Sequence, residues 1–342
     1  MPGHATAPLI TVLGASGLLG TAVSRELARR RVRLRLVGRR PVAVPPRPVA
    51  LIEERRVDLT RPGAVADAVA GSDAVVHLVA HLSGKGTWRV ADGDALAERV
   101  NVGLVHEVVE AVRAERRPEP PALLFSGSLS QSASVPAAPA DGVPPQSLLT
   151  TYDRHKLAAE QAIADATAEG VVRGATLRLS TLYSLGTDAT DLDRGVVAAM
   201  TRRAVAGQPL TVWHGGKAKR DLLGIDDAAR AFTAALDALD AVVGGAWEVG
   251  SGEQTSVAEL FTAIARAVSR HTGLPPVPVV DTVPAEFALP TDRLDFVLRS
   301  ARFRELTGWT PRVPLREGLD RLCAAVAGAQ HGVTAARAGR DS

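Results

Sequence analysis

The apolar run Leu9–Leu13 ends directly in Gly14-Ala15-Ser16-Gly17-Leu18-Leu19-Gly20, and Val23, Leu27 and Ala28 follow at helical spacing. Strand, glycine turn and helix in that order let a chain turn without side-chain interference and bring a pyrophosphate against helix N-terminal amides. Gly14, Gly17 and Gly20, with Ser16 and Leu18 between them, are therefore the first candidate binding residues. Three glycines alone would also suit a tight turn in some other α/β protein, so the remaining elements decide.

Those elements alternate. Strands are expected at 32–37, at a segment ending near Asp58-Leu59, at 74–79, at 122–125 and at 175–179. Helical stretches at 63–69, 96–116 and from Thr151 onward separate the later ones. The run 74–79 is continuously apolar, as in a strand covered on both faces. This rhythm predicts an α/β fold, a Rossmann-type doubly wound parallel sheet with right-handed crossovers. With 342 residues the chain exceeds one ordinary domain. We expect a dinucleotide-binding core over 1–180, joined again by part of 222–250, and a smaller C-terminal substrate-binding lobe from 181–221 and 251–328. Ser256-x-x-Glu259 predicts a capped helix in that lobe, and 329–342 reads as a flexible tail.

Several classes of protein are excluded. The single cysteine, Cys323, cannot form an internal disulfide, and no signal-peptide pattern opens the chain, so a cytoplasmic location is expected. No run of 18 apolar residues predicts a membrane span. Net charge is +3, and the Arg residues are dispersed rather than gathered in a basic arm, which argues against nucleic acid. The eight His residues show no metal-ligand spacing.

At the end of the second strand, Gly38-Arg39-Arg40 stands where NAD-preferring sites carry an acid for the ribose hydroxyls. Guanidinium groups complement a 2′-phosphate, so Arg39 and Arg40 point to NADPH (NADP+), the alternative being solvated arginines in an Arg-rich chain. By position, Asp58 and Leu59 would meet the adenine edge, and Leu78, Ala80 and neighbours would line the middle of the cofactor.

Lys85, Lys156, Lys217 and Lys219 are the only lysines, and Tyr occurs twice. Composition alone would produce a Tyr-x-x-x-Lys match roughly 0.02 times. Tyr152-Asp153-Arg154-His155-Lys156 is such a match, at the start of an expected helix, where positions four apart share a face. A phenol of ordinary pKa about 10 is a weak acid-base group at neutral pH. A neighbouring ammonium is expected to lower that value and to bond a ribose hydroxyl.

Together with Ser126-Gly127-Ser128 and Arg178-Leu179-Ser180-Thr181-Leu182-Tyr183, these motifs resemble the extended short-chain dehydrogenase/reductases. Arg220-Asp221-Leu222-Leu223-Gly224-Ile225-Asp226-Asp227, Gly250-Ser251-Gly252-Glu253 and Gly308-Trp309-Thr310-Pro311 extend the resemblance to the sugar-nucleotide epimerase/dehydratase branch. The segments 98–104 and 195–200, with Trp213-His214, are similar to dTDP-4-keto-6-deoxyhexose 4-ketoreductases of antibiotic deoxysugar pathways.

The resemblance implies that Ser128 bonds the substrate carbonyl, Tyr152 donates the proton, and Lys156 tunes Tyr152 and holds the nicotinamide ribose. Asn101 and Leu179 join the cofactor contacts, and Tyr183 sits beside them. Arg220, with Arg293 as a second candidate, faces the diphosphate. His81, Ser83, Lys85 and Trp88 occupy the loop on the substrate side. Dehydratases of this branch place Asp-Glu after the catalytic Thr, whereas Leu129-Ser130 follow Ser128 here, so dehydration is disfavoured. The expected activity is NADPH-dependent reduction of the C4 ketone of a dTDP-linked keto-deoxysugar. An NAD-retaining epimerase and a non-catalytic NADP-sensing protein are the alternatives. A homodimer through helices 96–116 and 151–168 is also implied.

Overall fold

The computed structural model describes residues 7–81, 90–134, 149–185, 195–283, 293, 295–296 and 298–338. Its main sheet contains β1 (Leu9–Leu13), β2 (Arg33–Gly38), β3 (Leu51–Arg56), β4 (Ala74–His77), β5 (Ala122–Ser128), β6 (Arg173–Leu179) and a last strand, Ala246–Val249. The spatial order is Ala246–Val249, β6, β5, β4, β1, β2, β3, and all neighbours are parallel. The chain runs outward from β1 to β3, then returns to β4 on the other side of β1. The crevice beyond the C-terminal ends of β1 and β4 is thus a topological switch point, where open α/β sheets take their ligands.

Parallel neighbours require crossovers, supplied by α1 (Leu18–Leu27), α2 (Ala64–Val69), α3 (Ala95–Glu98), α4 (Leu104–Glu115) and α5 (Thr151–Ala168). Successive strand residues feed opposite faces. Val12, Leu36, Leu124 and Leu177 pack with Val23 and Leu27 of α1 and with Phe232 of helix Ile225–Asp237. Leu13, Val37, Val75, Leu123 and Phe125 pack with Val105, Val108 and Val109 of α4 and Ile163 of α5. Two-sided burial is why these strands read as unbroken apolar runs.

The expected helix over 96–116 is interrupted. A π-helical turn, Arg99–Gly103, separates α3 from α4, a device often found at functional sites. β5 is longer than expected, so Ser126, Gly127 and Ser128 are strand residues paired with Leu177, Arg178 and Leu179 of β6.

In the C-terminal part, Leu210–Trp213 pairs in parallel with Val279–Thr282, and Lys219–Arg220 pairs antiparallel with Thr255–Ser256. Leu210, Leu260, Ile264, Leu319 and Leu322 form a third core cluster, which also contains Tyr183. Tyr183 is fully buried there with Gly318 packed on its ring, which corrects the expectation that it lies beside the cofactor. Buried Asp221 accepts from Ser251 N and Oγ at 2.8 Å each and from Gly252 N at 3.0 Å. Buried Asp227 accepts from Arg312 N and Val313 N at 2.9 and 3.0 Å. These carboxylates fasten the Arg220–Asp227 motif to later segments.

The expected capping box at Ser256 and Glu259 is formed. The segment 329–342 begins inside a helix. Helix Leu315–Ala338 continues through it, on a segment rich in alanine, the strongest helix former. Residues 339–342 lie outside the described residues.

Candidate active site

Gly14 takes a φ of 85°, and the amides of Gly14 and Ala15 both donate to Val37 O, at 2.9 and 3.0 Å. A Cβ on Gly20 would lie 2.0 Å from Gly14 O, one on Gly38 would lie 2.5 Å from Ser16 Oγ, and one on Gly14 would meet the Leu78 carbonyl at 3.1 Å. The turn, the end of β2 and the chain leaving β4 therefore converge at glycines, with the Ser16 side chain packed against Gly38. No side chain caps α1 at Gly17, so its first-turn amides and positive dipole end are presented at the mouth of the turn. That cradle fits the pyrophosphate of a nicotinamide dinucleotide. Ser16 and Leu18 belong to it, Ser16 buried and Leu18 partly so.

Arg39 and Arg40 are exposed at the tip of β2. Arg40 Nη2 donates to Ser16 O at 3.1 Å, folding one guanidinium over the turn. Bonds from the Thr60 amide and hydroxyl hold the Asp58 carboxyl below its ordinary pKa, assisted by the charges of Arg39 and Arg61. Leu59 turns its side chain into the core. Leu78 is half-buried, Ala80 is exposed, and Leu179 is buried at the end of β6. Asn101, on the π-helical turn, is buried and its amide grips the His81 main chain: His81 N donates to Oδ1 at 2.7 Å, and Nδ2 donates to His81 O at 3.1 Å. Asn101 thus holds the His81 backbone, four residues beyond β4, from the π-helical turn. Its Nδ2 also lies 3.5 Å from His155 Nδ1, so His155 has a neighbour that its sequence context did not reveal.

Thr150 and Asp153 form a reciprocal capping box that starts α5, which sets Tyr152 in the first turn. Lys156 follows one turn later, buried, with Nζ 2.7 Å from Ser126 O and 4.5 Å from the Phe125 ring centroid. The ammonium is 5.7 Å from the Tyr152 ring centroid. Burial lowers the Lys156 pKa to about 7. Burial, with the Asp153 carboxylate adding to it, raises that of Tyr152. The expected lowering of Tyr152 by Lys156 is therefore overturned in this geometry: the phenol is desolvated, while the ammonium is directed at strand β5.

Ser128 is the last residue of β5, two positions beyond the Ser126 carbonyl that Lys156 engages. Its Oγ lies 2.8 Å from Ser130 Oγ and accepts from Ser130 N at 3.3 Å, and its own amide donates to Gln131 Oε1 at 2.5 Å. Gln131 Nε2 donates to Glu160 Oε2 at 3.3 Å, and Glu160 is paired with Arg178. Sequence reading missed Gln131 and Glu160. Glu160 carried a signal, since it continues the four-residue spacing of Tyr152 and Lys156, whereas Gln131 had none. Also missed was His77, fully buried on β4 beside Phe125, its ring centroid 5.8 Å from that of Phe125.

On the C-terminal side, Arg220 stacks 5.0 Å above the Phe296 ring centroid and donates from Nη1 to Lys219 O at 2.9 Å. Arg293 Nε donates to His214 Nε2 at 3.1 Å. Ser83, Lys85 and Trp88 lie outside the described residues. No helix among the described residues is long and apolar enough to cross a membrane.

Among characterised proteins, the chain is 28% identical over 340 residues to dTDP-6-deoxy-L-talose 4-dehydrogenase (NAD(P)(+)) of Kitasatospora kifunensis, covering 93% of this chain and 96% of that one. It is 30% identical over 283 residues to 2'-dehydrokanamycin reductase of Streptomyces kanamyceticus, covering 82% of this chain and 70% of that protein. A match to UDP-glucose 4-epimerase of Mycolicibacterium smegmatis, 36% identical over 129 residues, spans 38% of each chain. The solved UDP-glucose 4-epimerase of Thermus thermophilus in complex with NAD shares the fold, with a TM-score of 0.73 at 23% identity over 94% of this chain and 99% of its own. The sequence model of the NAD dependent epimerase/dehydratase family matches residues 10–250, from β1 through the last sheet strand and the loop beyond it, and the chain belongs to that family.

Proposed function

We propose that the protein reduces the C4 ketone of a dTDP-linked 4-keto-6-deoxysugar, with NADPH as reductant. The observation that carries this reading is that Lys156 ties the helix bearing Tyr152 to β5, the strand that ends in Ser128, with Leu129 and Ser130 in place of the acids that dehydration would need. Two relatives over most of the chain bear the names dTDP-6-deoxy-L-talose 4-dehydrogenase (NAD(P)(+)) and 2'-dehydrokanamycin reductase, which supports hydride transfer at a carbonyl.

NADPH, when bound, supplies hydride to the ketone carbon. The Ser128 hydroxyl bonds the carbonyl oxygen and stabilises the negative charge that develops on it. Tyr152 delivers its proton to that oxygen and is reprotonated from solvent, so the ketone gains one hydride and one proton. Lys156 holds the ribose of the cofactor, and its tie to Ser126 keeps α5 registered on β5. Arg39 and Arg40 contact the 2′-phosphate. Arg220 and Arg293, on the lobe formed by 181–221 and 251–328, bind the diphosphate. The enzyme works as a homodimer through helices 96–116 and 151–168; light scattering showing a monomer at working concentration contradicts that part.

The test is NADPH oxidation with a panel of dTDP-4-keto-6-deoxysugars, with the product hydroxyl assigned by NMR. Turnover of at least one panel member is expected, and none with any member would overturn the assignment. A second reading, an NAD-retaining epimerase, draws on the partial match to a UDP-glucose 4-epimerase. Stoichiometric NAD+ in the purified protein, with no net NADPH consumption, would favour it.

A further inference from the structure

A chain of contacts behind Ser128 starts outside the residues assigned to the chemistry. The Ser128 amide donates to Gln131 Oε1 at 2.5 Å, and Gln131 Nε2 donates to Glu160 Oε2 at 3.3 Å. Arg178 holds that carboxylate with Nε and Nη2 at 3.0 and 2.5 Å. Gln131 is fully buried, and the Glu160 and Arg178 side chains are 15% and 22% exposed.

The polarity of this relay is fixed by its ends. A backbone N–H can only donate and an ionised carboxylate can only accept, so the carboxamide between them must present oxygen to Ser128 and nitrogen to Glu160. A residue of one polarity could not serve both. Glu160 lies on the face of α5 that carries Tyr152 and Lys156, at the same four-residue spacing, and Arg178 pairs with Gly127 across β5 and β6. Gly127 makes the room: a Cβ there would lie 2.7 Å from Gln131 Oε1 and 2.8 Å from Thr176 Cγ2. β5 and α5 meet at the buried Gln131 amide, and β6 joins them through Arg178 at the Glu160 carboxylate.

We propose that Gln131 is a positioning residue, fixing Ser128 against Tyr152 and Lys156 through a relay anchored by Glu160 and Arg178. The proposal rests on the reading of Ser128 as the group that bonds the substrate carbonyl. A misplacement of roughly 1 Å at a reacting group costs on the order of 100-fold in rate. Gln131→Leu, which removes both ends of the amide at similar volume, is expected to lower kcat by about 10- to 100-fold, with KM and NADPH affinity held within about threefold.

The decisive measurement is a double-mutant cycle on kcat for NADPH oxidation with dTDP-4-keto-6-deoxyglucose. If Gln131 acts through Ser128, Gln131→Leu costs less than about twofold in a Ser128→Ala background. An equal loss in both backgrounds overturns the proposal. Should Gln131→Leu fail to fold, an exchange answers the question. Gln131→Glu alone faces one carboxylate with another and loses activity. Gln131→Glu with Glu160→Gln keeps the total charge and a workable donor and acceptor order, and recovers activity to within about threefold. No recovery overturns the relay. A wild type that reduces none of the sugars defeats the functional reading instead. Crystal structures of the wild type and Gln131→Leu, or of the exchange singles, then carry the test: Ser128 Oγ displaced by roughly 1 Å supports the relay, and an unmoved Ser128 overturns it.

Discussion

Lys156 Nζ donates to the main-chain carbonyl of Ser126 at 2.7 Å, so the helix that carries Tyr152 is tied through its lysine to the strand that carries Ser128. The tie is formed in a buried setting, and burial brings the Lys156 pKa down to about 7.

A stability consequence follows from that depressed value. Between about pH 7 and the ordinary lysine value near 10.5, the unfolded chain holds a proton that the native state has released, so native stability from this group rises with pH across that window. Below about 7 both states are charged, and the full cost of burying the ammonium is present. Lys156→Met lacks this dependence. Urea denaturation at pH 6.5 and 9.5 should show the wild type gaining on Lys156→Met at the higher pH; a constant difference between them would contradict the assignment.

His77 makes the complementary prediction at acid pH. Burial pushes its pKa down to about 3, with the Lys156 charge acting in the same direction, and neither ring nitrogen has a hydrogen-bond partner among the described residues. Below the ordinary value of 6.5 the unfolded chain takes up a proton that the native imidazole refuses. Stability present above pH 6.5 is therefore lost as pH falls toward 3, with a limiting slope of about 1.4 kcal/mol per pH unit for one proton. His77→Leu should flatten this arm of the stability profile, and parallel profiles would exclude the role.

The sheet and the phosphate cradle were legible in the sequence because both are local. Two-sided burial writes itself as the apolar run of β4, and Gly17 and Gly20 are required by contacts within a single turn, while Gly14 has a local backbone demand in its φ of 85°. Tyr152 and Lys156 were legible through spacing. What could not be read depends on residues brought together across the sheet. The bond from Ser128 to Gln131 continues to Glu160 on α5 and Arg178 on β6, and no pattern along the chain announces it. Tyr183 misled for the same reason, since its motif adjoins β6 while its ring enters the third core cluster against Gly318.

Arg39 and Arg40 should differ in their effects. Arg39→Ala is expected to raise the KM for NADPH by about 10-fold or more, the scale of a hydrogen bond to a charged group at about 1.5–3 kcal/mol, with little change for NADH. Arg40 is already engaged by Ser16 O, so Arg40→Ala should act on both cofactors through the turn as well as on the phosphate. Steady-state kinetics with both cofactors decides this, and equal effects of Arg39→Ala on NADPH and NADH would remove the basis for NADPH preference.

Two glycine substitutions should act oppositely. A Cβ at Gly20 would overlap the backbone of Gly14 and Ala15, at 2.0 and 2.8 Å, so Gly20→Ala should destabilise by about 1–3 kcal/mol or more and weaken NADPH binding. Gly328 is exposed within helix Leu315–Ala338 and has open space around it, so Gly328→Ala should stabilise by about 0.5–1 kcal/mol. Thermal melts with and without NADPH check both, and a Gly20→Ala protein that melts and binds like the wild type would show that the turn is not tightly packed.

The reduction itself rests on the Tyr152 proton. Turnover of NADPH with a dTDP-4-keto-6-deoxysugar should fall about 10²- to 10⁴-fold in Tyr152→Phe, while the NADPH Kd from fluorescence titration stays within about twofold of wild type. Undiminished turnover in Tyr152→Phe would contradict the assignment of Tyr152 as the proton donor and, with it, the reductase reading.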